Sequence, residues 1–209
     1  MEGRRALKAK AVRGTEASKR AVGRPRCEKA RRAILKAAFS LLKRDGFDGV
    51  STQQIARKAG VSTATLYRWW ENKEAVLLDA YMETTRDILP QGDGGSPLRR
   101  LRRYTIRVAA FLKGPNGLVF RRLLMTLQDN PALRKAFYKN VFLPQEAEGC
   151  AVVRKAIEAG ELPSSVDPHL LINLLAGPQV FSALLGRNLN RKSAERIFDF
   201  ILHAASYVD

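Results

Sequence analysis

The sequence predicts an all-α chain, with an N-terminal three-helix unit built on a helix-turn-helix and a larger C-terminal helical domain. Three observations predict it. Residues 50–73, VSTQQIARKAGVSTATLYRWWENK, hold two helix starts on either side of a glycine stop. Apolar residues elsewhere recur at helical spacing, with no strand-like alternation bounded by hairpin turns. Gly114-Pro115, Asn130-Pro131, Gly160 and Asp167-Pro168 fall where helices stop and proline-first helices start.

The elements follow in order. Residues 1–25 carry few large apolar side chains and read as a disordered basic arm. A first helix, from about Cys27 to Arg44, carries the stripe Ile34, Leu35, Ala38, Leu41 and Leu42; Gly46 ends it and Phe47 folds back. Ser51 caps the next helix and Gln54 completes a capping box, with Val50 and Ile55 as its hydrophobic staple. Gly60 supplies the left-handed stop. Ser62 caps the second helix of the pair, and Val61 and Leu66 form the matching staple. Ala56 and Ala59 are small where the two helices cross, and Ile55, Val61 and Leu66 give the pair its apolar inner side. These elements make one unit over 26–72. A connecting helix over 73–89, capped by Asn72, turns Val76, Leu77, Ala80 and Tyr81 inward, and Pro90 with GDGGSP breaks the chain after it. The second domain, 97–209, reads as helices at about 97–113, 117–128, 131–159, 167–186 and 191–207. Pro144 and Gly177-Pro178 fall inside two of them and are expected to kink them.

Composition narrows the function. At 209 residues and 45% hydrophobic, the chain can bury a full core. It has no apolar run of bilayer-spanning length and no signal-peptide core, so a cytoplasmic protein is expected. Cys27 and Cys150 stand alone and read as reduced thiols. His169 and His203 lack partners at ligand spacing, so neither a metal nor a cofactor is expected. No nucleophile–base arrangement, phosphate-cradling loop or carboxylate pair marks an enzyme. The net charge of +17 is uneven: residues 1–72 hold 18 Lys/Arg against 6 Asp/Glu, and residues 73–209 hold 19 against 14. Such asymmetry is the footprint of phosphate contacts.

A helix-turn-helix sets its second helix in the major groove of DNA. Here that helix directs Thr63, Thr65, Tyr67 and Arg68 outward. A plain helical hairpin would share the pattern in part, but caps, staples, crossing residues and charge all agree on a DNA reader. Ahead of the first helix, Pro25 is expected to hold Arg24 and Arg26 extended, as an arm for a minor groove. The last two helices are apolar over more than one face, which a partner subunit would cover; Leu170, Leu174, Phe181, Ile197, Phe200 and Ile201 are the candidates. An effector pocket would draw its lining from Met82, Tyr104, Val108, Phe111, Phe120, Leu124, Met125, Phe137 and Phe142. Arg86, Arg103, Arg107 and Arg121 could meet an acidic ligand, though a solvated face is the plainer reading of them. The competing function is a DNA-architectural protein without operator specificity. The basic arm favours it and the large second domain argues against it.

Residues 23–86, with the run LLKRDGFDGVSTQQIARKAGVSTATLYRWWENKEAVL, resemble the N-terminal domain of the TetR/AcrR family of transcriptional regulators. RRLLMTLQDNPALRKAFYKNVFLP and AIEAGELPSSVDPHLLINLLAGP are similar to one of that family's C-terminal domains. The resemblance implies an all-helical homodimer that binds a palindromic operator on double-stranded DNA, a repressor released by a small-molecule effector. It also implies that Thr52 and Gln53 lie where the supporting helix meets phosphates, and that Thr63, Thr65, Leu66, Tyr67 and Arg68 lie on the recognition helix. Tyr67 and Lys73 fall at phosphate-contacting positions. Trp69 and Trp70 match an aromatic pair of which at least one belongs to the core. The long basic tail departs from the family pattern.

Overall fold

Ten α-helices and no strand make up the described part of the chain, which in the computed structural model is residues 24–85, 88, 95–205 and 207, with side chains described from Glu28 onward. Helix α1 spans Arg24–Asp45, α2 Thr52–Ala59, α3 Thr63–Tyr67 and α4 Lys73–Thr85. The second part holds α5 Pro97–Lys113, α6 Pro115–Asp129, α7 Pro131–Phe137, α8 Leu143–Glu158, α9 Pro168–Leu184 and α10 Arg191–Ala205.

Local chemistry accounts for the boundaries. Ser51 accepts the Gln54 N–H at 3.2 Å while the Gln54 carboxamide accepts the Ser51 N–H at 2.7 Å, so the capping box at α2 is closed. Gly60 takes φ +68°, and the Val61 N–H reaches back to the Ala56 carbonyl at 3.0 Å. Asn130 and Asp167 cap α7 and α9, each followed by proline at the first helical position. Proline there gives up only an N–H that had no helical partner.

Two expectations change. Pro25 does not hold an extended arm: it sits in the first turn of α1, which begins at Arg24 and includes Arg26. A proline's fixed φ suits a first turn as well as it suits an extended strand. The rest of the arm, 1–23, lies outside the described residues, as do Arg86 and the connecting helix past Thr85 apart from Ile88. The single helix expected over 131–159 is instead α7 and α8 joined by a π-helical turn, Tyr138–Phe142. The Leu143 N–H bonds the Tyr138 carbonyl, one residue farther back than in an α-helix, just before Pro144 removes the next donor. Pro178 lies inside α9, where the sequence placed it.

The core does not respect the linker. Ile34, Leu41, Leu42, Ile55, Leu66, Trp70, Val76, Leu77 and Tyr81 of the first four helices share one buried cluster with Val119, Leu123 and Leu127 of α6, Leu133 of α7 and Val141. The reader is therefore packed directly onto α6 and α7. At the far side, α8 and α9 cross closely at Gly149, where an added Cβ would lie 2.5 Å from Ile172 Cγ1.

Candidate DNA interface

The caps of α2 and α3 fix which side chains face out. Gln53, at the start of α2, is exposed. Thr52 beside it is buried, and its hydroxyl lies 3.2 Å from the Tyr67 hydroxyl while also reaching Gln53 Oε1 at 3.3 Å. Thr52 is therefore corrected from a group facing DNA to one that holds Tyr67, whose ring is 52% exposed. A second correction concerns Leu66. It is 0% exposed, because the staple position that closes α3 must point inward.

Thr63 and Thr65 are half-buried, and the Thr65 hydroxyl sits 2.9 Å from Ser62 Oγ. Arg68 and Trp69, in the turn after α3, are exposed. Lys73 opens α4, half-buried, and Asn72 caps that helix by accepting the Ala75 N–H at 2.8 Å. Trp70 takes the core position four residues after Leu66. Its indole N–H donates to Asp79 Oδ2 at 2.9 Å, and the Arg31 guanidinium donates to the same oxygen at 3.1 Å while lying over the ring. This knot ties the end of the helix-turn-helix to α1 and α4. Beside α2, Arg44 pairs with Asp45 and holds its carboxyl below the usual range.

Among the outward residues, Ala64 was not singled out by the sequence and Trp69 only as one of an aromatic pair; both are exposed. The signal for each was present. Stepping from Leu66 to Trp70 is one helical turn inward, which sends Trp69 out. Ala64, at the second position of α3, offers a methyl-sized surface of the kind that packs on a thymine methyl.

Most of the expected pocket residues fall into two groups that share Phe111 and Phe120. Tyr104, Val108, Phe111 and Phe120 meet between α5, α6 and α9, and burial pushes the Tyr104 hydroxyl up to about 12. Tyr81, which the reading had only turned inward, joins them by stacking on Phe120 at 6.2 Å and meeting Phe111 edge-on at 6.5 Å. Met82, Leu124 and Phe137 pack against the reader-side core, which Phe111 and Phe120 also touch. Met125 is corrected to the outer face of α6, 55% exposed, and Phe142 to a stack on exposed Tyr138 at 5.5 Å. Arg121 donates to the Leu112 carbonyl at 3.0 Å.

On the last two helices, Leu170, Leu174, Phe181 and Phe200 are exposed, Phe200 by 75%, and Leu184, Leu185 and Tyr207 are exposed too. Ile201 is corrected to the chain's own core, and Ile197 packs against the same cluster. On α10 these two isoleucines share the inward stripe with Phe198, whereas Phe200 points away. Among the described residues no helix is long and apolar enough to cross a membrane.

A capped three-helix reader seated on a larger helical domain is the architecture of a helix-turn-helix DNA-binding protein. Residues 34–80 match the profile of the bacterial regulatory proteins of the tetR family, and residues 91–201 match a tetracyclin repressor-like C-terminal domain. The HTH-type transcriptional regulator YdeS of Bacillus subtilis is 37% identical over 163 residues, which cover 78% of this chain and 82% of that protein. AqdR of Rhodococcus erythropolis, another HTH-type regulator, is 29% identical, with 70% of each chain covered. The crystal structure of the TetR family regulator SCO0332 superposes with a TM-score of 0.72 at 25% identity, covering 84% of this chain and 97% of that one. The chain belongs to the TetR family of transcriptional regulators.

Proposed function

We propose that the chain is a repressor that binds a palindromic operator as a homodimer and leaves it when a small molecule occupies the second domain. The exposed apolar stripe Leu170, Leu174, Phe181, Leu184, Leu185 and Phe200 carries this reading. A surface so apolar calls for a cover, and a second copy supplies it through the same two helices in both protomers. One reader touches few base pairs. Two related by a dyad meet half-sites about one helical turn apart.

On each half-site, Gln53, Tyr67 and Lys73 meet phosphates, aided by the free N–H groups at the start of α2. Thr63, Thr65 and Arg68 face the groove, with Ala64 and Trp69 beside them. Tyr81 links ligand to reader in this account, because it belongs to α4 yet touches the rings of Phe111 and Phe120. A ligand parting those rings would shift α4 and with it Lys73. The match of residues 91–201 to a regulator's C-terminal domain favours this reading over an architectural role.

The test is sedimentation of the wild type and of Leu174→Glu/Phe200→Glu. The wild type is expected to be a dimer at micromolar concentration and to bind DNA two chains at a time. The double variant is expected to be a folded monomer with weakened operator binding. A monomeric wild type that binds DNA singly contradicts the proposal.

A further inference from the structure

The second domain's core is divided. Leu101 and Leu175 belong to one apolar cluster, with Val153, Ile172 and Phe198. Val108, Leu112, Ala183 and Leu189 form another. One helical turn separates Leu101 from Thr105 on α5, and one turn separates Leu175 from Gln179 on α9. Thr105 and Gln179 are both 0% exposed, so a polar seam runs between the clusters.

The seam is incompletely satisfied. Gln179 Nε2 donates to the Thr105 carbonyl at 3.1 Å and to the Leu175 carbonyl at 2.8 Å, which uses both amide hydrogens. The Thr105 hydroxyl donates to the Leu101 carbonyl at 3.0 Å. Gln179 Oε1, fully buried, has no donor among the described residues. An orphaned buried acceptor is unfavourable, and an aliphatic side chain of similar size would fill the place without that cost. Packing alone does not explain a glutamine here. Both carbonyls it reaches lie inside continuous helices, so neither helix depends on it for closure.

We propose that Gln179 Oε1 is the hydrogen-bond acceptor of a ligand site in this seam, for a neutral aromatic molecule carrying one O–H or N–H donor. That this ligand is the effector rests on the reading given above. The lone pairs of an amide oxygen select a donor and repel an anion. The aromatic body is inferred from the adjoining cluster, against which Tyr104, Phe111 and Phe120 pack, the last two meeting edge-on at 6.3 Å.

A matched pair of probes tests the proposal. 2-Naphthol and 2-methoxynaphthalene share a body and differ in the donor, and each is titrated into the full-length protein by calorimetry. The wild type is expected to bind 2-naphthol on the order of tenfold more tightly than its methyl ether. Gln179→Leu, with Gln179→Met as the unbranched alternative, is expected to melt no lower than the wild type and to bind both probes equally. Equal binding by the wild type, as when Oε1 holds only a trapped water, overturns the proposal. So does a preference that survives in both variants, or failure of both probes to bind. Operator release is measured separately. Naphthol that binds through Gln179 without releasing DNA supports the site and overturns only the effector reading.

Discussion

Tyr67 and Lys73, both proposed to meet phosphates, are held differently and should respond differently to substitution. Lys73 contributes a charge, so Lys73→Ala should weaken binding to every sequence alike and flatten the salt dependence by about one unit per half-site. Filter binding at several salt concentrations checks this, and an unchanged slope removes Lys73 from the phosphate set. Tyr67 is oriented by the Thr52 hydroxyl at 3.2 Å. Thr52→Val keeps the shape and deletes that link, so it should loosen DNA binding while leaving the salt slope intact. Leu66 belongs to the fold and not to the groove. Leu66→Ala should cost about 2–5 kcal/mol in denaturant unfolding. The sequence marked Leu66 twice, by its staple position as core and by family resemblance as a recognition residue; the staple geometry admits only the first.

At the scale of elements, the devices written in short local patterns were legible. The capping box at Ser51 and Gln54, the left-handed Gly60 and the cap at Ser62 depend on residues within four positions of one another, and all stand as the spacing implies. Ser51→Ala should therefore lower stability by about 1 kcal/mol, read as a shift in melting temperature. Devices that depend on distant partners were not legible. A π turn, Tyr138–Phe142, stands before Pro144 where a single helix kinked at that proline was expected, because periodicity alone does not register one inserted residue. The α8–α9 crossing is another case. Gly149 looks like an ordinary weak spot in a helix until Ile172 is seen beside it. Gly149→Ala should destabilise the second domain by about 1–3 kcal/mol even though alanine favours helix, since Ile172 must move. A variant as stable as the wild type would show that α9 gives way freely.

For the whole molecule, Pro90 and GDGGSP were read as a boundary between the reader and the rest, whereas residues of α6 and α7 complete the reader's own core. Composition shifts and Gly-Pro runs reveal where the chain is loose, not which helices share a packing face. The same limit governed the candidate sites. The outward setting of Arg68 followed from helix phase and that of Gln53 from family resemblance, while Met125 and Phe142 fell away from the other pocket candidates because an apolar stripe does not say which neighbour it packs against. Ile201 and Phe200, adjacent in sequence, face the core and solvent respectively. The central claim is that this basic reader recognises a particular sequence through a two-fold dimer rather than coating DNA by charge. Selection from a random double-stranded library at physiological salt tests it most directly. The account predicts enrichment of one palindrome with half-sites about one helical turn apart. Recovery of unenriched DNA, with affinity set by salt alone, would contradict it.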